Sequence, residues 1–386
     1  MEREEIRKLV ADMVAIPSVN PLDEPPSDGR GEGRLAAFIE AKLRDAGIAC
    51  ELREAAPGRP SVLARIPGES EDAIWFDAHI DTVSGEGMQF EPFAPRVEGD
   101  ILYGRGSADD KGSVAAMMAA LIDIAKSGAK PPLTVIFSAT ADEEFRMRGL
   151  LGLFDAGLTA TAAAAIVGEP TNLEIIIAHK GVARFKISTA GKAAHGSRPD
   201  MGVNAIYRMG KVIQALEAYA KRGVGRETHP MLGKATLSVG VIRGGEYANV
   251  VPDYCEIQVD RRLLPGEEGR RAIADVRNYL VDAINEELGL EISAPDILVP
   301  GLSLSADDPL VHAVGARARE VTGKSPLDGM SGTTHAGQFV ERGIPALVFG
   351  PGKMGQAHTA TEELDLTQVE QAARIYEGLM RSGART

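Results

Sequence analysis

The sequence has 386 residues, 44% hydrophobic and 25% charged, with a formal net charge of −13. That balance is globular, the length points to two domains, and an acidic chain without a basic tract argues against nucleic-acid binding. Two distant cysteines, Cys50 and Cys255, argue against a disulfide framework or a thiolate zinc site, no apolar run is long enough to span a bilayer, and the charged start "MEREEIRKLVADMV" has no apolar secretion core, so the expected compartment is the cytoplasm.

Ile6, Leu9, Val10, Met13 and Val14 recur at helical spacing over residues 4–16. Leu35, Phe38, Ile39 and Leu43 repeat the pattern over 34–46, with Gly47 placed as a C-cap. Between them lies the polar, Pro- and Gly-rich loop "SVNPLDEPPSDGRGEG". Strand-like runs follow at "SVLARI", "AIWFDAHI", "LTVIFSAT" and "AAAIVG", with the helix-like "SVAAMMAALIDIAKSG" between the second and third. Strands interleaved with helices indicate an α/β layered domain. The texture changes near Gly181. "VARFKISTAG", "KATLSVGVIRGG" and "YCEIQVDRRLL" read as strands, and "GVNAIYRMGKVIQALEAYAK" and "EEGRRAIADVRNYLVDAINEEL" as helices. This reads as a compact α+β block inserted at 182–294, between the two parts of a larger domain at 1–181 and 295–386. The last part returns to the earlier style, with a helix over 309–322, the strand "PALVFG" and a final helix from about residue 366.

In open α/β sheets, ligands bind beyond the carboxyl ends of the strands. His79 and Asp81 follow "AIWFDA", Glu143 and Glu144 follow "LTVIFSAT", Glu169 follows "AAAIVG", and His358 follows "PALVFG". A further pair, Asp109 and Asp110, precedes a helix in "GRGSADDKGS". Imidazoles and carboxylates without thiols suit a hydrolytic zinc, cobalt or manganese site. Singly, each has an ordinary reading: a buried histidine beside a carboxylate, a solvated acidic loop, a turn feeding a helix. Four strand ends and one helix start carrying compatible ligands in one topology outweigh those readings.

"HID" (79–81), "GRGSADDKGS" (104–113), "DEE" (142–144), "GEPT" (168–171) and "AHT" (357–359) resemble, in order, the signature of one family. It is the dinuclear-zinc family of acetylornithine deacetylase, succinyl-diaminopimelate desuccinylase, aminoacylase and bacterial glutamate carboxypeptidase. The resemblance implies an α/β fold, a central mixed sheet flanked by helices in the zinc-exopeptidase manner, with the inserted block as an α+β dimerisation or lid domain. It implies a homodimer and two divalent ions per chain, zinc first, with cobalt or manganese as alternatives. His79, Asp109 and Glu169 would hold one ion, and Glu144 and His358 the other. The family pattern selects Asp109 over Asp110 as the bridge, and in some relatives the peptide after it is cis. Asp81 would fix the tautomer of His79. Two divalent ions against three carboxylates leave a small positive charge, so a bridging water would become a hydroxide nucleophile. Glu143 would be the general base that moves its proton to the departing amine.

The resemblance also implies that His195, in "GKAAHGSRP", reaches the partner's active site and stabilises the oxyanion. Asn249 and Arg262 match residues that bind the substrate carboxylate or nearby polar groups, with Arg261 adjacent. Gly332 and Thr333 lie in "GMSGTTHAGQF", a substrate loop in the family. There His335 stands at the usual Asp, and Gln338 where some relatives have arginine, which argues against acetylornithine and succinyl-diaminopimelate as substrates. The expected activity is cleavage of an amide bond in an N-acyl amino acid or small peptide bearing a free carboxylate. The rivals are an aminopeptidase or dipeptidase with the same site, and a non-catalytic binding protein, which would lack Glu143 or a ligand. Arg146 and Arg148 read as surface charges, and His179 as structural.

Overall fold

The computed structural model describes residues 1–284 and 286–383. The chain forms two compact units, one of Met1–Ile177, Ser303–Asp328 and Thr334–Thr386, the other of Ala178–Leu302 and Gly329–Thr333. The division therefore falls at 177/178 and 302/303, where the sequence texture suggests 181/182 and 294/295. Gly181 still marks a constrained point, because a Cβ there would stand 2.5 Å from the carbonyl oxygen of Val299.

The larger unit is built on a mixed sheet. Its strand order is Ala49–Ala56, Arg59–Ile66, Leu133–Thr140, Ser70–His79, Ala162–Val167, Ala346–Val348, Ile175–His179 and Leu302–Ser303. Ser70–His79 runs parallel to both of its neighbours, and Ala346–Val348 is parallel to Ala162–Val167. Four consecutive strands in that order thus end on one edge. The helix Gly112–Ser127 is buried along most of its length, as a helix apolar on nearly every face must be, and it packs on the helix Leu366–Ser382.

The strand Ser70–His79 shows why the site forms where it does. Ile74, Phe76 and Ala78 enter the main core on one face of the sheet. Trp75, Asp77 and His79 alternate onto the other face, where Trp75 meets Phe154 and Phe339 edge-on. Asp77 and His79 are thus carried on one side of the buried part of this strand, towards its carboxyl end.

The smaller unit has an antiparallel sheet in the order Val224–His229, Gly233–Gly244, Tyr254–Leu263, Gly181–Ala190 and Leu290–Ile292, with Ile297–Val299 also pairing Gly181–Ala190. The helices Ala205–Lys221 and Gly269–Ala283 share its core through Met209, Val212, Leu216, Ile273, Val276 and Leu280. The second helix is shorter than the expected 267–288. It begins where Glu268 accepts from the N–H groups of Arg270 and Arg271, and stops where Ile284 turns extended. Asn285, within that expected helix, lies outside the described residues. Among the described residues no helix is long and apolar enough to cross a membrane.

Candidate metal centre

His79 is the last residue of its strand, Glu143 and Glu144 follow Leu133–Thr140, Glu169 follows Ala162–Val167, and His358 lies in the segment after Ala346–Val348. Asp109 comes from the turn Ser107–Lys111, where Asp109 and Asp110 depart from helical backbone geometry, and its peptide bond to Asp110 is cis. The ligand atoms of His79, Asp109 and Glu169 lie within 4.8 Å of one another, as do those of Asp109, Glu144 and His358. Asp109 is common to both groups.

The hydrogen bonds set the orientation of each side chain. His79 Nδ1–H donates to the carbonyl oxygen of Asp81 at 2.9 Å, which leaves Nε2 facing Asp109 Oδ1 at 2.9 Å. The carboxylate of Asp81 stands 3.6 Å from Nδ1. It accepts instead from the backbone N–H groups of Glu143 and Glu144, at 3.0 and 3.1 Å. Asp81 thus orients His79 mainly through its main chain, while its side chain grips the loop that carries both glutamates. His358 Nε2 lies 3.0 Å from Glu144 and 3.3 Å from Asp109.

The electrostatics call for cations. Burial opposes the charged form of His79, but its contacts with Asp109 and Asp81 outweigh this and raise its pKa well above the ordinary value. Contacts with Asp109 and Glu144 raise His358 to about 10. Burial also opposes ionisation of Asp109, yet the two imidazoles lower its pKa. Burial, then the charge of Asp109, push Glu144 up, and burial with Asp109 and Glu143 pushes Glu169 well above its usual range. Burial raises Glu143 to about 7. Among the described residues, neither lysine nor arginine pairs with Asp109, Glu144 or Glu169. A neutral His79 presents a lone pair to a carboxylate, so the pair needs a proton or a metal between them. The donor set, all nitrogen and oxygen with one shared carboxylate, fits two divalent ions.

Residues beyond the candidate ligands complete the surroundings. Glu362, fully buried, accepts from the N–H groups of Gly106, Ala108 and Asp109 and from Arg105, and so fixes the backbone that presents Asp109. Asn20 donates to Asp81 and to Asp142. Asp142, with φ of 70°, is held by Arg59 at 2.8 Å and by Arg148. Arg148 is therefore tied to a buried carboxylate rather than being a plain surface charge, whereas Arg146 pairs with the exposed Asp23. His335 Nδ1 donates to Asp77 at 2.7 Å, and Asp77 in turn accepts from the Ser138 hydroxyl. Apart from Arg148 with Asp142, six residues away, these partnerships join segments far apart in the chain, so no local spacing announces them.

The remaining candidates lie in the smaller unit. His195 pairs in a short ladder with Val250, and the N–H of Gly196 donates to the carbonyl of Asn249 at 2.7 Å, so His195 and Asn249 are neighbours. Ser197 donates from its N–H to His195 Nδ1 and its hydroxyl lies 2.7 Å from the same atom, which puts the ring proton on the exposed Nε2. Arg262 pairs with Asp260 at 2.8 Å and donates to the Thr333 hydroxyl at 3.3 Å. Thr333 donates to the carbonyl of Lys180 at 2.8 Å, and at Gly332 a Cβ would meet the Met330 methyl at 2.9 Å. Arg261 is buried and bonded to Glu267, which separates its role from that of the partly exposed Arg262.

The profile of peptidase family M20/M25/M40 matches residues 75–382. The chain is similar to an acetylornithine deacetylase of Aliivibrio fischeri, 30% identical over 391 aligned residues that cover 98% of this chain and 99% of the relative. In fold it resembles a family M20 metallo-carboxypeptidase of Sulfolobus solfataricus, with a TM-score of 0.79, 18% identity and 99% of each chain covered. It also resembles a dinuclear metal binding peptidase of Bacillus subtilis, with a TM-score of 0.72, 19% identity and coverage of 98% and 97%. The profile spans most of the chain and the identity extends over nearly all of it, so the chain belongs to peptidase family M20/M25/M40 and is a metal-dependent hydrolase of carbon–nitrogen bonds.

Proposed function

We propose that this enzyme cleaves the amide bond of an N-acyl amino acid or small peptide with a free carboxylate. The observation that carries the reading is the pair of ligand groups sharing Asp109, with the non-ligating Glu143 next to Glu144. His79, Asp109 and Glu169 would hold one divalent ion and Asp109, Glu144 and His358 the other, with zinc as first choice and cobalt or manganese as alternatives. Such ions supply positive charge that polarises a carbonyl and lowers the pKa of water.

The chain's own residues do the rest. Glu143 takes a proton from the attacking water and hands it to the departing amine. Burial raises its carboxyl above the ordinary range, which favours taking up the proton. Asp81 holds the backbone of Glu143 so that the carboxylate is presented, and its carbonyl keeps His79 in one tautomer. His195 supplies an Nε2–H donor for the oxyanion, supported by the two donors from Ser197 on its other nitrogen. The guanidinium of Arg262 receives the substrate carboxylate, with Asn249, Gly332 and Thr333 as polar and backbone neighbours.

The smaller unit is read as the dimerisation or lid domain of a homodimer. Exposed Tyr207, Ile242, Tyr247 and Tyr254 on that unit support the dimer. The unpaired Cys50 and Cys255 support a cytoplasmic setting. Glu143→Ala tests the central role. It is expected to retain wild-type metal content while losing at least about 1000-fold in kcat, in keeping with removal of a general base and of a preorganised site. A Glu143→Ala enzyme with wild-type turnover would overturn the assignment.

A further inference from the structure

We propose that Asn20 is a positioning residue for the reaction: its side-chain amide ties the Asp81 and Asp142 carboxylates together and so fixes the backbone that presents Glu143 and Glu144. Asn20 lies in the loop after the first helix, far in sequence from both glutamates, and is 4% exposed.

The amide nitrogen carries two hydrogens. One is donated to Asp81 Oδ2 at 2.7 Å and the other to Asp142 Oδ1 at 3.1 Å. The amide oxygen is also used, accepting from the N–H of Leu22 at 2.7 Å. The backbone is fixed as well: the N–H of Asn20 donates to Thr82 O at 2.8 Å, and the N–H of Thr82 to Ser18 O at 3.1 Å. The amide therefore cannot drift from the segment that follows His79.

Both carboxylates act on the glutamate loop. Asp81 receives the N–H of Glu143 on one oxygen and that of Glu144 on the other. Asp142 is the residue before Glu143 and holds a left-handed backbone with φ of 70°. Its N–H donates to Glu32 Oε1 at 3.2 Å, and its side chain takes Arg59 and Arg148. Arg59 and Arg148 offset the charge of Asp142, whereas among the described residues no lysine or arginine pairs with Asp81. Without the amide, two buried like charges would face one another across the root of the loop. A neutral group with two donors is the side chain that satisfies both. An aspartate at position 20 would add a third carboxylate and remove both donors.

This inference rests on the reading of Glu143 and Glu144 above. Its test compares wild type with Asn20→Ala and the isosteric Asn20→Asp. Each is checked for folding by circular dichroism and thermal melting, then assayed for kcat and KM on an N-acyl amino acid and for zinc affinity by chelator competition. The expected result is a folded protein whose kcat falls about 10- to 100-fold with KM nearly unchanged, and whose zinc affinity falls by a similar factor. Asn20→Asp is expected to be at least as impaired as Asn20→Ala. A folded variant with wild-type kcat and wild-type zinc affinity overturns the proposal. Failure of both variants to fold overturns it too, since the residue would then be structural only. Wild-type protein that binds zinc and cleaves no amide would sink the functional reading instead, and the zinc comparison would still decide the role of Asn20.

Discussion

Glu362→Gln probes how strongly the loop of Asp109 is held. One carboxylate oxygen accepts from the N–H groups of Ala108 and Asp109 at 3.0 and 3.1 Å; the other accepts from Gly106 N–H at 3.0 Å and from Arg105 at 2.7 Å. An amide can keep the first pair but places an NH₂ against the second. Two hydrogen bonds are lost, and Arg105, itself 3% exposed, loses its buried counter-charge. Removing one partner of a buried pair costs about 3–5 kcal/mol. Arg105 keeps bonds to the carbonyls of Ser84 and Thr359, which puts the expected loss near the lower end, about 3 kcal/mol. For a unit of this size that corresponds to a fall in Tm of roughly 6 °C. The assay is thermal melting of chelator-treated protein, so that metal binding does not mask the change. A Glu362→Gln protein that melts within about 1 °C of wild type would refute this reasoning. Glu362→Ala, which removes all four acceptor contacts, should melt lower still.

Burial holds His179 down at about 4, against an ordinary value of 6.5. The unfolded chain therefore takes up the proton first as pH falls, so this histidine stabilises the fold above pH 6.5 and loses that contribution between 6.5 and about 4. The window is worth about 3 kcal/mol. Denaturant titrations at pH 7 and pH 4.5 should show the wild type losing more stability than His179→Gln, and equal losses would contradict the burial argument. His195→Ala should lower kcat by about 100- to 1000-fold through loss of an oxyanion donor while leaving zinc affinity unchanged. An unchanged kcat would remove His195 from the reaction.

Four of the candidate ligands were legible because they lie beyond apolar runs that end at the same edge of the sheet, whereas Asp109 lies in the turn before the helix Gly112–Ser127. His79 after "AIWFDA" and Glu169 after "AAAIVG" needed only the strand pattern and the identity of the next polar residue. The supporting side chains were not legible. Asn20 meets Asp81 and Asp142, and Glu362 meets Ala108 and Asp109, only once distant segments are packed together. The role of Asp81 shows the same limit. Its spacing from His79 indicated a partnership, but the strand geometry gives that bond to the carbonyl and frees the carboxylate for Glu143 and Glu144. Short strands such as Arg96–Glu98 and Leu302–Ser303 left no alternating pattern because two or three residues are too few to show one. The helix expected over 267–288 overshot because its hydrophobic periodicity continues past Ala283, where the backbone has already turned extended.

The proposed site would hold two divalent ions through five side chains, one of them the shared Asp109. The most direct measurement is metal content of the purified protein, paired with amine release from N-acyl amino acids before chelation, after chelation and after zinc is restored. About two ions per chain, with turnover that disappears on chelation and returns with zinc, is the expected result. Turnover that survives complete removal of metal, or a metal-replete protein that retains no ion, would contradict it.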